Sequence, residues 1–214
     1  MEITAFKKIN QTLLRVIFPD KCAVCGEIND KILCTNCSDQ IFKSYSENNG
    51  KNLIVLYEYT EKMKDFIAGI KYKKNFCLLE RASQKIVETI SFFQKPDMII
   101  PVPLNPLREA ERGFNQALEL IKNFAQFHKI PIENKVIFRK HHTKKSHLLE
   151  KNERLAQAQT AFELWEENKV LIKGKHILLF DDIITTGSTT AVIEKILYLA
   201  GAKKVTVFCF AGVP

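Results

Sequence analysis

HILLFDDIITTGSTT, residues His176 to Thr190, decides the fold. It opens on an unbroken apolar run, ILLF, of the kind a strand buried on both faces requires. The run ends in two adjacent carboxylates, Asp181 and Asp182. A hydroxyl-rich turn through Thr185, Thr186, Gly187, Ser188 and Thr189 follows, and a helix is expected from about Thr189. Such a turn offers backbone N–H groups and the positive end of a helix dipole to an anion. Gly187 lacks a Cβ, so the backbone there can approach a phosphate closely or take a positive φ. Two acids before an anion site repel a bare phosphate. They suit a ligand that also carries hydroxyls or a divalent cation, and ribose 5-phosphate has that layout. Side chains alternate along a strand, so the two acids need not share one job. The plainer alternative is a Thr- or Ser-capped strand-to-helix turn, which leaves the paired acids unexplained.

Outward from this stretch, apolar β-rich runs alternate with helical patterns. Strands are expected over 53–59, 97–103, 135–139, 176–182 and 204–210, and helices over 61–70, 78–93, 114–127, 150–161 and 189–200. Alternation of this kind implies right-handed crossovers and a mostly parallel sheet with helices on both faces, an α/β fold. Ligands in such folds sit at the carboxyl ends of strands. The places to look are therefore just after MIIPVP and just after ILLFDD.

With 46% hydrophobic and 26% charged residues among 214, the chain suits one full globular domain plus a small attachment. No apolar run reaches the ~20 residues of a membrane span. The first segment is interrupted by Lys7, Lys8, Asn10 and Arg15 and carries no small-residue cleavage site, so a cytoplasmic protein is expected. Ile3, Phe6, Ile9, Leu13, Val16 and Ile17 follow helical spacing, as in a helix docked on the body or lying on a membrane surface. The polar run from Ser44 to Asn52 reads as a linker, dividing an N-terminal module over 1–43 from an α/β domain over 53–214.

That module holds two C-x-x-C pairs, Cys22/Cys25 and Cys34/Cys37, with eight residues between them. Two such pairs complete a tetrahedral thiolate shell, and structural zinc is the expected occupant. Iron is the alternative metal and a redox dithiol the metal-free one. A closed four-thiolate shell leaves no open position for catalysis. Cys77 and Cys209 stand alone in apolar surroundings and are expected to be buried.

The second strand end reads PVPLNPLREAERGFNQ, Pro101 to Gln116. Its prolines predict a stiff, non-helical loop, with Arg108 and Arg112 in it or at the start of the next helix. Spaced by four, the two guanidiniums share a face if that piece is helical, and such a pair suits a pyrophosphate. The alternative is a solvated pair bridging Glu109 or Glu111.

Lysine and arginine number 32 against 24 acids, a net charge of +8 that becomes informative only where it clusters. One cluster, Arg139, Lys140, Lys144 and Lys145, lies in a stretch with three histidines and no acid, and reads equally as a solvated loop or a nucleic-acid contact. In the other, Tyr72 and Phe76 interleave with Lys71, Lys73 and Lys74. Stacking combined with phosphate neutralisation is how single strands are held without sequence preference.

DDIITTGST resembles the phosphoribosyl pyrophosphate (PRPP) signature of type I phosphoribosyltransferases. The pattern PVPL, three residues, Arg, three residues, RGFNQ is similar to that of the ComF family, as are IKYKKNF (Ile70 to Phe76) and the cysteine pairs. The likeness covers nearly the whole chain. The sequence departs from the family pattern at Ser146, Gln157 and Thr160. The resemblance implies a zinc knuckle joined to a phosphoribosyltransferase fold that binds PRPP with Mg²⁺. Asp181 and Asp182 would then hold the ribose hydroxyls, and residues 185–189 the 5-phosphate. It also implies a role in DNA uptake during natural transformation, with single-stranded DNA and competence-machinery proteins as partners. If catalysis occurs, an acceptor displaces pyrophosphate from the ribose C1. The alternatives are a phosphoribosyltransferase of nucleotide salvage and a non-catalytic PRPP-sensing regulator on the same fold.

Overall fold

The computed structural model describes residues 19–45, 52–90, 95–140 and 161–213. The N-terminal amphipathic segment, the expected helix over 150–161, and Lys144 and Lys145 lie outside the described residues. Four parallel strands form the main sheet: β1 (Leu53–Glu58), β2 (Met98–Pro101), β5 (His176–Ile184) and β6 (Lys204–Gly212), in the spatial order β1-β6-β5-β2. A separate antiparallel pair joins β3 (Ile137–Arg139) to β4 (Phe162–Leu164). The fold is α/β.

Both faces of the sheet are covered, which is why β5 is apolar without a break. Leu178 and Phe180 face a core shared with α2 (Glu61–Lys73), α3 (Phe76–Thr89) and α5 (Gln116–His128). Ile177 and Leu179 face the opposite core, which holds Ile193 and Leu197 of α6 (Ser188–Leu199) and the β3–β4 pair. A polar bond ties two helices of the first layer, the buried Ser83 hydroxyl donating to the Leu120 carbonyl at 2.8 Å.

The cysteine module, with its own short helix α1 (Thr35–Ile41), sits on this same body. Cys22, Leu33, Cys34, Cys37 and Ile41 share one continuous core with Phe66, Ile67 and Ile70 of α2. Phe42 closes the seam with edge-on contacts to Tyr57 at 5.3 Å and Phe66 at 5.7 Å. Of the expected linker, residues 46–51 lie outside the described residues, while Ser44 bridges Tyr57 in antiparallel fashion. The module and the sheet are thus packed against one another.

Two local expectations need correction. Pro106 does not extend a non-helical loop: it opens a short helix, α4 (Pro106–Arg112), with Asn105 as its cap. Proline fits the first helical turn because its missing N–H would find no partner there anyway. Cys77 is exposed, not buried, because it lies in the first turn of α3 while the next residue, Leu78, turns to the core. Cys209 on β6 is fully buried, as expected.

Candidate functional site at the carboxyl edge of the sheet

All four strands run the same way, so β2 and β5 deliver their loops to one edge. β2 ends where Pro101 lies beside Phe180, and β5 runs on past it through Asp181 and Asp182 to Ile184. The chain then turns at Gly187, whose φ of 71° favours glycine, and enters α6.

The start of α6 differs from the other helices. Thr60, Asn75, Asn105 and Asn115 each accept a backbone N–H in the first turn of α2, α3, α4 and α5. The N-cap of α6 is Gly187, which has no side chain to offer, and among the described residues the one side-chain contact to a first-turn N–H is a long one, the Ser188 N–H to the Thr186 hydroxyl at 3.4 Å. The Thr186 and Ser188 hydroxyls bond each other at 2.8 Å, and the Thr190 hydroxyl donates to the Gly187 carbonyl at 3.0 Å. This turn lines a small polar concavity walled by Asp181 and residues 183–190.

The two acids occupy different surroundings. Asp182 pairs with Lys71 of α2, carboxylate to ammonium at 2.5 Å. Asp181 accepts the Asp182 backbone N–H at 2.8 Å. Burial pushes its carboxyl well above the usual carboxylate range and the Asp182 charge adds to this, while that N–H and the Lys71 charge pull the other way. Burial likewise raises the phenol of Tyr59, against the nearby Lys71 charge.

Arginines approach from the other side. Arg139 of β3 lies over the Phe162 ring at 5.3 Å, within electrostatic reach of both Arg108 and Asp181. Burial and the Arg108 charge lower its pKa, and Asp181 raises it. Arg108 and Arg112 do share a helix but diverge. Arg112 donates to Gln116 at 2.5 Å and covers the Tyr72 ring at 5.4 Å. Neither forms an ion pair with Glu109 or Glu111 among the described residues. Between the proline loop and β3–β4 lies an open cleft of about 610 Å³ lined by Pro103, Leu104, Phe138, Arg139 and Trp165.

Of the cations expected as DNA contacts, Lys71 and Arg139 lie beside the strand-end acids. Lys140 is engaged with Glu163. Tyr72, Lys73 and Lys74 stay exposed. Helical spacing carries a hint of the Lys71 position, since it follows the buried Ile67 by four residues on α2. Nothing comparable marks Arg139, which only the β3–β4 pairing brings into place.

The four cysteines come together as their spacing suggests. Their sulfurs all lie within 4.8 Å of one another, and Cys22, Cys34 and Cys37 are buried. Gly26 at φ 77° closes the first turn by donating its N–H to the Cys22 carbonyl, and the Cys34 sulfur accepts the Cys37 N–H. Burial pushes the Cys37 thiol up, and its sulfur neighbours add to this. A dication among four thiolates reverses that opposition, so the donor set suits zinc.

No protein-family model matches this chain. Competence protein F of Haemophilus influenzae is 28% identical over 184 residues, covering 83% of this chain and 77% of that protein. Competence protein ComFC of Streptococcus pneumoniae is 27% identical over 227 residues, covering 88% of this chain and 98% of that one. The chain is thus similar to ComF-type competence proteins over most of its length. The DNA utilization protein YhgH of Shigella flexneri is also similar to this ComF-like chain, at 26% over 204 residues and 88% of each. Solved structures overlap it in part. One is a glutamine PRPP amidotransferase from B. subtilis, at TM-score 0.42 and 17% identity over 61% of this chain and 25% of that one. Another is a purine phosphoribosyltransferase from Pyrococcus horikoshii, at TM-score 0.36 and 19% identity over 75% and 79%. Among the described residues of the ComF-like chain, no helix is long and apolar enough to cross a membrane.

Proposed function

We propose that this ComF-like protein binds PRPP at the carboxyl edge of its sheet and serves DNA uptake, holding single-stranded DNA on an adjoining face. The observation that carries the first part is the polar concavity at the start of α6, where the N-cap Gly187 blocks no backbone N–H with a side chain of its own, directly after the acidic pair. Thr185, Thr186, Gly187, Ser188 and Thr189 receive the 5-phosphate on backbone N–H groups and hydroxyls. Asp181 and Asp182 accept bonds from the ribose hydroxyls. Arg108 and Arg139 meet the pyrophosphate, for which guanidiniums are the better-suited cations. Mg²⁺ travels with the ligand. Among the described residues only the four cysteines gather three or more metal donors, and one of the two strand-end acids is already paired.

Calorimetric titration with PRPP and Mg²⁺ tests this reading, and saturable one-site binding is expected. Thr186→Val removes one hydroxyl at nearly constant shape and should weaken binding by about 0.5–1.5 kcal/mol. A wild-type protein that gives no heat and no competition with PRPP analogues removes the reading. Pyrophosphate release in the presence of bases, nucleotides or single-stranded DNA separates transfer from binding.

The DNA face has its own support. Tyr72 is 72% exposed with Arg112 against its ring, Phe76 packs on Phe114 at 6.0 Å, and Lys74 lies near Gly113. IKYKKNF and RGFNQ thus interlock into one aromatic and cationic surface. Single-stranded DNA should bind it with a log–log salt slope of about −0.7 per phosphate contacted. Filter binding should show Lys73→Ala with Lys74→Ala flattening that slope by roughly one unit or more. Tyr72→Ala should cost about 1–3 kcal/mol at unchanged slope. Salt-independent or absent binding in the wild type makes these residues ordinary solvated surface.

A further inference from the structure

At the end of α2 the basic run splits into two kinds of lysine. Lys73 and Lys74 are exposed, whereas Lys71 is only 17% exposed and pairs with an Asp182 that is 15% exposed. Other pairs are more open: Lys64–Glu61, Lys169–Glu166 and Lys122–Glu119 all keep at least one side chain half exposed or more. Solvated pairs of that kind contribute little. The Lys71–Asp182 pair is different because it lies at the strand end, where water is partly excluded and charge compensation matters more.

The geometry around it is consistent. α2 is anchored by Phe66, Ile67 and Ile70, all nearly inaccessible, so the helix fixes where Lys71 emerges. Its charge is felt by Asp181 and by Tyr59 as well as by Asp182. One ammonium therefore serves a cluster of three acidic groups drawn from β5 and the end of β1.

We infer that Lys71 is the resident counter-ion of the acidic pair and a ligand-binding residue of the strand-end site. This rests on the reading of that site as one for a sugar phosphate. Two adjacent carboxylates without compensation would repel a polyanionic ligand. With Lys71 in place, Asp182 can accept a ribose hydroxyl while the site as a whole stays close to neutral, and no divalent cation has to sit on Asp182. The ammonium, with three donors, can keep Asp182 and add a ligand oxygen.

The test uses the full chain and two probes, Mn²⁺ alone followed by electron paramagnetic resonance, and PRPP with Mg²⁺ followed by calorimetry. Lys71→Met should bind Mn²⁺ about tenfold or more tightly than wild type, because the pair has lost its built-in cation. Adding Asp182→Asn to it should abolish that gain. PRPP binding by Lys71→Met should fall by roughly tenfold to a hundredfold, the effect of deleting one charge-assisted contact. Lys71→Arg should stay near wild type with both probes, and Lys122→Met, which removes the same charge from the exposed side of α5, should change neither. Circular dichroism spectra confirm that each variant is folded.

Lys71→Met indistinguishable from wild type with both probes overturns the inference, as does tighter PRPP binding, which would make Lys71 a plug. If wild type fails to bind PRPP but Lys71→Met still gains Mn²⁺, the sugar-phosphate reading falls and the counter-ion role stands.

Discussion

Cys37→Ser should destabilise the whole fold by more than about 4 kcal/mol, the range reserved for loss of a structural metal or a comparable core element. For a domain of this size that lowers the thermal midpoint by on the order of 10 °C. The expectation follows from packing as much as from coordination. Cys37 is 1% exposed, its N–H is bonded to the Cys34 sulfur, and it belongs to the core that holds Phe66 and Ile70. The four-cysteine shell thus closes one end of the main hydrophobic core. A chelator should act like the substitution, giving one cooperative transition at lower temperature with Tyr57 and Phe66 exposed along with the cysteines.

Elemental analysis of the purified protein should find about one zinc per chain, as a closed four-thiolate shell demands. Cys77→Ser is the control: that thiol is exposed, lies far outside the sulfur cluster and should be neutral in both assays. Two separate melting transitions after chelation would mean that the module folds independently of the sheet. Iron, or reduced cysteines without metal in a stable protein, would remove zinc from the account.

What the sequence made legible follows the range of the interactions involved. β5 and α6 could be read from local pattern alone, because ILLF needs two covered faces and TTGST can only lead from a strand into a helix near Gly187. The sulfur cluster was equally local, two short turns facing each other. Pro106 misled because proline breaks a helix interior yet suits its first turn, and the Asn105 cap decides which applies here. The division of labour within IKYKKNF was hidden for another reason. Helical spacing says that Lys71 lies nearer the buried face than Lys73, but not that Asp182, more than a hundred residues later in the chain, waits opposite it. Arg139 and the Tyr72–Arg112 contact are long-range in the same sense. Charge density along a sequence cannot distinguish a cation turned into a site from one turned to solvent.

The last prediction separates the two aspartates by stability while uniting them by function. Each carboxylate that accepts a ribose hydroxyl supplies a charge-assisted bond of about 1.5–3 kcal/mol, so either single Asn variant should weaken PRPP binding by roughly 10- to 100-fold. The double variant should bind too weakly to measure by calorimetry. Stability should go opposite ways. Asp181 is pushed up by burial first and by the Asp182 charge second. An aspartate whose pKa rises on folding favours the native state below its unfolded pKa, and that contribution is lost as pH rises through the higher, folded value. At neutral pH the protein therefore carries a cost at Asp181. Asp181→Asn removes the titrating group and still accepts the Asp182 N–H through its carbonyl oxygen. It should stabilise the fold by about 1 kcal/mol at pH 7 and flatten the fall in stability on going from pH 5 to pH 8. Asp182→Asn does the reverse, because it strands an enclosed Lys71 ammonium. Breaking such a pair should cost about 1–3 kcal/mol, below the figure for a fully buried one because both side chains retain some solvent. Urea midpoints of the two single variants at pH 5 and pH 8 make the comparison. Equal shifts of the same sign would show that the two acids act as one unit, and that their different surroundings have no energetic consequence.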